Sequence, residues 1–249
     1  MREILAGMDV HKLIKDYHQA LSGAGAEHQL LAEVEGYSVY AYHLLRPDAE
    51  RLVYLSAGIH GDEPAGPLAL LELIEEGILD EPVSWVLCPV INPTGLAANR
   101  RENFQGLDLN RDYLKKQSVE IASHANLLDS LDVDFAISLH EDWESSGFYF
   151  YEINQADDRP QRYDRMVQVI SSVMPMEREA VIDDHAVREA GWIYHENKPD
   201  EPELWPEAIY LAMRGCPLSF TFETPSSLAI GKRIEAHKVA VRAALRMPL

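Results

Sequence analysis

Short apolar runs alternate with helix-like segments along most of this chain, and this alternation restricts the possible fold more than any other feature. Leu52–Ala57, Trp85–Ile91, Phe135–Leu139 and Leu218–Phe222 have the length and apolar content of buried strands. Segments of helix-forming residues separate them, as in Ala65–Glu76. Alternating strands and helices predict an α/β fold, with a mixed, mostly parallel sheet flanked by helices.

Similar patterns predict the remaining elements. Strands are predicted over Ser38–Leu45 and Gly147–Ile153. The other predicted helices are an amphipathic one from Val10 to Leu21, then Val119–Leu131, Tyr163–Met174, Glu203–Met213 and Lys232–Met247. Residues 92–112 predict a long irregular loop, and such loops usually have a function. Since no repeat or flexible linker divides the chain, we expect residues 1–249 to form a single domain.

The charge balance excludes some classes of partner. The 249 residues include 41 acidic and 22 basic side chains, for a formal net charge of -19. Such a surface repels phosphate backbones and anionic lipids, so we expect neither a nucleic acid nor a membrane as partner. No apolar run approaches the ~20 residues of a membrane helix. A cytoplasmic location is expected, because the first residues lack a signal-peptide pattern.

Two histidines and two glutamates lie at or just beyond the carboxyl ends of predicted strands, where α/β sheets bind ligands. His60 and Glu63 belong to Gly58-Ile-His-Gly-Asp-Glu63, and His140 and Glu223 each end an apolar run. Two His and one Glu suit Zn²⁺ and leave a position for water, while a second Glu can take a proton from that water. Alternatively, each residue only terminates a strand or caps a helix.

Although the chain is acidic overall, it contains a local cluster of arginines. Arg111, next to Asn110, suits a clamp for a substrate carboxylate, because guanidinium binds carboxylate in a bidentate manner. Arg101, which follows Arg100, suits stabilisation of an oxyanion. The alternative for each is a surface ion pair. The two cysteines, Cys88 and Cys216, are too few for a disulfide framework or a thiolate metal site.

Four motifs in this order resemble those of the zinc carboxypeptidases: His60-Gly-Asp-Glu63, Asn92-Pro-Thr-Gly95, Gly106-Leu-Asp-Leu-Asn-Arg111 and Phe220-Thr-Phe-Glu223. The resemblance spans residues 53–228 and implies a zinc carboxypeptidase-like fold. The resemblance implies that His60, Glu63 and His140 bind one Zn²⁺ and that Glu223 is the general base and acid. It also implies that Arg101 rather than Arg100 polarises the scissile carbonyl and that Asn110 and Arg111 hold the terminal carboxylate. Finally, it implies that Asp108 orients a ligand histidine and that Tyr194 closes over the substrate.

The chain departs from the digestive-type enzymes in being compact, with 76 residues between Glu63 and His140. In its compactness the chain resembles the murein peptide amidase and the succinylglutamate desuccinylase/aspartoacylase branches. The motifs Gly106-Leu-Asp-Leu-Asn-Arg111 and Phe220-Thr-Phe-Glu223, in contrast, favour the carboxypeptidases. The leading prediction is therefore a zinc metallocarboxypeptidase whose substrate is a peptide with a free carboxylate. Two alternatives stay open: an N-acyl amino acid amidohydrolase, and a zinc- or peptide-binding protein without catalysis.

Two further features are open to more than one interpretation. Asp62, Glu141 and Asp142 flank the predicted ligands and either hold a co-catalytic second metal or are solvated carboxylates supporting the first. The acidic, proline-containing segment around Pro199 and Pro206 is either a lid over the site or a rigid connection.

Overall fold

The computed structural model describes residues 8–247. The strands are β1 (Glu27–Val34), β2 (Tyr37–Leu44), β3 (Leu52–Ala57), β4 (Ser84–Cys88), β5 (Phe135–Asp142), β6 (Tyr149–Asn154), β7 (Val181–Ile182), β8 (His185–Ala186), β9 (Trp192–His195) and β10 (Leu218–Pro225). The α-helices are α1 (Val10–Gly23), α2 (Ala65–Glu75), α3 (Pro93–Ala98), α4 (Val119–Leu128), α5 (Gln161–Ile170), α6 (Glu207–Met213) and α7 (Ile230–Leu245). Short 3₁₀ turns cover Ile78–Asp80 and Leu109–Arg111.

Eight strands form one mixed sheet in the order β1-β2-β4-β3-β5-β10-β6-β9. The central strands β4, β3, β5 and β10 are parallel to one another, and β6 and β9 are parallel to each other. Antiparallel pairing joins β1 to β2, β2 to β4, and β10 to β6. The predicted fold class, a mostly parallel sheet flanked by helices, is confirmed.

Helices cover both faces of the sheet. Helices α1, α2, α5 and α7 pack on one face, here called the α7 face, against side chains such as Leu55, Ile137 and Phe222. Helices α4 and α6 pack on the other, the α4 face, against side chains such as Tyr54 and Ala136. Because successive strand residues point to opposite faces, a strand buried on both sides is apolar along most of its length. Burial on both faces explains why apolar residues predominate in the central strands.

The structure corrects the prediction at several places. The predicted irregular loop over residues 92–112 contains α3 and a 3₁₀ turn. Strand β1 was not predicted, because its first four residues are exposed and show no alternation. Strand β9 was not predicted either, since it has only four residues at a sheet edge. Among the described residues, no helix has both the length and the apolar content needed to cross a membrane.

Candidate metal-dependent active site

The turn after β3 is shaped by close contact between backbones. Gly58 has a φ of 64°, in the left-handed region that favours glycine. Gly61 lies against the start of α3, where a Cβ added to it would stand 1.9 Å from the carbonyl carbon of Gly95. Asn92 ties the two segments together: its Oδ1 accepts from the N–H of Gly95 at 2.9 Å, and its Nδ2 donates to the carbonyl of Ile59 at 3.2 Å. The two glycine-containing motifs therefore form one packed unit.

This turn brings His60 and Glu63 together with His140 from the end of β5. The Nδ1 of His60 lies 2.6 Å from Oε1 of Glu63, and the Nδ1 of His140 lies 2.9 Å from Oε2. All three side chains are at most 5% exposed, and their potential ligand atoms lie within 4.8 Å of one another. The predicted ligand residues thus converge on one buried point.

These residues fit a divalent metal. Two imidazole nitrogens and a carboxylate are the donor set that Zn²⁺ takes in sites with an open position. Both oxygens of the buried Glu63 carboxylate lie against imidazole nitrogens, Oε1 against His60 and Oε2 against His140, so the carboxylate faces both histidines. Burial disfavours the charge of Glu63, but the two histidines outweigh it and lower the pKa of Glu63 below its usual range. For His60, burial acts to lower the pKa, but the nearby carboxylates of Glu63 and Asp108 outweigh burial and raise the pKa to about 9.

Asp108 connects the group to Arg101. Its Oδ1 lies 3.2 Å from Nε2 of His60, and its Oδ2 accepts from Nε of Arg101 at 2.9 Å. A carboxylate on the outer nitrogen fixes the orientation of a ligand histidine. The Nη1 of Arg101 lies 3.7 Å from Glu63 Oε1, whereas the exposed Arg100 donates to the carbonyl of Asn103. Of the two candidate arginines, Arg101 is the one beside the site.

Glu223 lies on the same face of the sheet as His140. The two residues are register partners on the parallel strands β10 and β5, so their side chains point to the same side. On its other flank Glu223 is in register with Tyr149 of β6, whose hydroxyl donates to Oδ2 of Asp142 at 3.1 Å. Burial raises the pKa of Glu223; the charge of His140 opposes this effect, and that of Glu63 adds to it. Glu223 is therefore a half-buried acid beside the candidate metal ligands.

The predicted carboxylate clamp lies in the 3₁₀ turn that follows Asp108. Arg111 is exposed, and its Nη1 donates to the carbonyl of Asn110 at 3.0 Å. The Oδ1 of Asn110 accepts from the N–H of Glu207, the first residue of α6, at 2.9 Å. The buried carboxylate of Glu207 in turn accepts hydrogen bonds from Tyr54 at 2.6 Å and from Ser138 at 2.7 Å. This connection fixes Asn110 to the α4 face and leaves the guanidinium of Arg111 facing solvent.

Tyr194 requires a correction, because the structure does not bring it to the site. Tyr194 is in register with Glu152 on β6, and Glu152 alternates with Tyr149, so Tyr194 points to the α7 face while Glu223 points to the α4 face. There the ring of Tyr194 contacts Trp192, with centroids 6.1 Å apart. On the Glu223 side, the structure places Tyr149 instead, which was not predicted because strand pairing is not visible in a single sequence.

The carboxylates predicted to flank the metal have different environments. Glu141 points to the opposite face from His140, where it accepts from the N–H of Ala65 at 2.6 Å and from the buried Arg233. It fixes the start of α2 directly after Glu63. Asp62 is exposed, and neither it nor Asp142 belongs to the group formed by His60, Glu63 and His140. The geometry supports one metal at this point.

A buried His-Glu-His group at the carboxyl edge of a mixed α/β sheet, with a further acid on the adjoining strand, is the arrangement of a metal-dependent hydrolase. A family model described as the succinylglutamate desuccinylase/aspartoacylase catalytic domain matches residues 49–194. The match covers more than half of the 249 residues, and the chain belongs to this family. The resemblance inferred from the motifs is confirmed.

Three relatives show the range of related proteins. A candidate metallopeptidase from Shewanella denitrificans OS217 is 25% identical, with a TM-score of 0.82, and the match covers 94% of this chain and 88% of that chain. A metallo-carboxypeptidase from Burkholderia cenocepacia shares the fold at 18% identity, with a TM-score of 0.65 and coverage of 92% and 67%. Carboxypeptidase SOL1 of Arabidopsis thaliana is 27% identical over 127 residues, which are 45% of this chain and 26% of that protein.

The match with SOL1 thus spans about a quarter of that relative's length. Together, the family and these neighbours support a hydrolase of the metallopeptidase-like or desuccinylase/aspartoacylase type. The metallopeptidase neighbours imply a bound metal, which agrees with the His-Glu-His group.

Proposed function

We propose that this protein is a zinc-dependent metallocarboxypeptidase, which hydrolyses the last amide bond of a peptide that has a free C-terminal carboxylate. The observation that supports the proposal is the register of Glu223 with His140, because it puts an acid on the same side of the sheet as a member of the His60, Glu63 and His140 group. When bound, Zn²⁺ supplies Lewis acidity to a water molecule and to the scissile carbonyl.

The side chains around the His-Glu-His group carry out the remaining steps of the reaction. A carboxylate oxygen of Glu223 takes the proton of the attacking water and passes it to the nitrogen of the leaving amine. Arg101, whose Nε is held by Asp108, directs its remaining N–H groups at the oxyanion that forms on the scissile carbonyl. Asn110 and the exposed guanidinium of Arg111 bind the terminal carboxylate and so select an amide bond at the end of a peptide.

Family membership favours a second candidate, the removal of an acyl group from an N-acyl amino acid. This reaction uses the same metal, acid and carboxylate clamp, and it differs only in the group beyond the scissile bond. The chain itself contains motifs of the carboxypeptidase type, so we place peptides first. Both candidates require a substrate with a free carboxylate.

One experiment tests both candidates. Zinc-loaded protein, with and without chelator, is incubated with a pool of free-ended peptides and N-acyl amino acids, and the products are identified by mass spectrometry. Chelator-sensitive release of single C-terminal amino acids supports the carboxypeptidase, whereas free amino acids from the N-acyl compounds with intact peptides support the deacylase. Bound metal with no hydrolysis of either class would contradict both and indicate a binding protein.

A variant separates metal binding from proton transfer. Glu223→Gln is expected to keep its zinc but to lose nearly all turnover, since the amide accepts no proton from water. Glu235→Gln is a matched control, because Glu235 is exposed on α7, where it lies 3.5 Å from Lys238, and it should retain full activity. Retained turnover in Glu223→Gln would refute the assigned role.

A further inference from the structure

A second group of potential metal ligands lies outside the proposed active site. It consists of His185 in β8, His195 at the end of β9 and Asp200 in the segment that follows. These residues are separate from the zinc carboxypeptidase motifs, and β8 belongs to a two-stranded hairpin of its own. Three distinct chain segments therefore meet at one point.

The distances from the two histidines to Asp200 agree with those between ligands of a tetrahedral metal site. The Nε2 atoms of His185 and His195 lie 3.5 Å and 3.2 Å from the same oxygen, Oδ2 of Asp200. Metal–nitrogen bonds of about 2.0–2.1 Å at tetrahedral angles place neighbouring ligand atoms roughly 3.4 Å apart. The imidazole rings of His185 and His195 meet edge to face, with centroids 4.7 Å apart. The side chains of His185 and His195 are 23% and 10% exposed, and that of Asp200 is 62% exposed.

The hydrogen-bond pattern of His195 favours a cation at this point. Its Nδ1 lies against the carbonyl of Glu196, which accepts but cannot donate, so the proton of a neutral ring belongs on Nδ1. The lone pair of Nε2 then faces the carboxylate oxygen of Asp200, which is unfavourable without a positive charge between them. A metal ion supplies that charge, and a carbonyl on the outer nitrogen is the usual means of fixing a ligand histidine. The alternative is an imidazolium ring, which the experiment below distinguishes.

We propose that His185, His195 and Asp200 form a second divalent metal site, which takes Zn²⁺ or a similar borderline metal with water as the fourth ligand. Two imidazoles and one carboxylate select such a metal over Ca²⁺ or Mg²⁺, which prefer oxygen ligands. The inference does not depend on the proposed hydrolytic function, because none of these residues takes part in it.

The position of this site suggests what the metal does. Tyr151 lies next to both imidazoles, with ring centroids 5.7 Å from His185 and 6.1 Å from His195, and its hydroxyl donates to Oδ2 of Asp183 at 2.9 Å. Tyr151 lies two residues beyond Tyr149 on β6, and therefore on the same face of the sheet as Glu223. A metal at this point joins the β7–β8 hairpin, β9 and the segment after it into one wall beside the active site.

Metal content measures this proposal directly. Zinc is counted per chain by elemental analysis after zinc loading and dialysis, for the wild type and for His195→Ala, Asp200→Asn, His60→Ala and His28→Ala. We expect about two equivalents in the wild type and a loss of about one equivalent in each of His195→Ala and Asp200→Asn. His28 is the matched control: it is exposed, and its ring centroid lies 4.3 Å from that of His18 and 5.8 Å from that of Tyr40, so its removal should leave the metal content unchanged.

The variants also separate this proposal from the first site. His60→Ala should lose a different equivalent, so a double variant of His60 and His195 should hold none. If His60→Ala has no effect while His195→Ala loses metal, the second site stands and the first fails. Unchanged metal content in both His195→Ala and Asp200→Asn would overturn the second site and leave the imidazolium ion pair. Asp200→Asn keeps this test valid if His195→Ala does not fold, since Asp200 is mostly exposed.

Discussion

The contact between Gly61 and Gly95 provides a quantitative test of how the candidate active site is held. Gly61 lies between His60 and Glu63, and its backbone lies directly on the start of α3. The φ of Gly61 is not in the left-handed region, so alanine is compatible with the local backbone. Any cost of Gly61→Ala is therefore a cost of space, which the structure allows us to evaluate.

The added Cβ would lie 1.9 Å from the carbonyl carbon of Gly95 and 2.2 Å from the nitrogen of Leu96. Ordinary contact begins near 3.4 Å, so the two segments must separate by about 1.5 Å. Overpacking costs typically about 1–3 kcal/mol, and since both sides of this contact are backbone we expect about 3 kcal/mol. Metal–ligand distances tolerate only about 0.2 Å, so displacement of His60 and Glu63 should weaken zinc binding by at least about 100-fold.

Two measurements separate these effects. Guanidinium unfolding of chelator-treated protein gives the free energy of unfolding without metal, and competition with a chromophoric chelator gives the zinc affinity. Gly231→Ala is the control: nothing lies within 4 Å of its added Cβ, and alanine in α7 should be neutral or stabilising by up to about 1 kcal/mol. A Gly61→Ala protein that loses less than about 0.5 kcal/mol and binds zinc normally would refute the reasoning.

Three further predictions concern other residues. Asp108→Asn should reduce zinc affinity by about 10–100-fold, measured by the same competition, because the carboxylate that orients the ligand histidine is lost. Burial raises the pKa of Cys216 to about 12 and that of Cys88 further, so a thiol reagent at neutral pH should label neither cysteine until the protein is unfolded; fast labelling of the native protein would contradict this. The hydrogen bond from Arg214 holds the pKa of Asp129 at about 2, below its unfolded value, so its stabilising effect exists at neutral pH and disappears as the pH falls through about 2. Because Asp129 is 37% exposed, we expect Asp129→Asn to cost less than about 1 kcal/mol of unfolding free energy at pH 7 and clearly less at pH 2; an equal cost at both would contradict the linkage.

Much of the fold was predictable because central strands and the residues at their ends are local features. A strand covered on both faces is mostly apolar, and such runs in β3, β5 and β10 are visible in the sequence. The residues that end these runs, such as His140 and Glu223, stand out because they interrupt them. The position of the candidate site follows from the rule that parallel sheets bind ligands at the carboxyl ends of their strands.

The parts that could not be predicted depend on pairing between distant segments. Strand β1 forms by antiparallel pairing with β2, and exposure of its first residues removes the alternation that would reveal it. The second ligand group is divided among a two-residue strand, an edge strand and an irregular segment, with no motif connecting them. Only the folded sheet brings His185, His195 and Asp200 to one point.

The two neighbouring residues Tyr194 and His195 show how strand parity decides function. The sequence predicts Tyr194 beside the proposed site, but adjacent residues of a strand point to opposite faces, so Tyr194 and His195 cannot both lie there. The pairing of β9 with β6 directs Tyr194 to the α7 face and His195 to the face of Glu223. A shift of one residue in this pairing would exchange them and would break the second ligand group while bringing Tyr194 to the active-site side. The register of one edge strand therefore determines which side chains line the wall beside the active site.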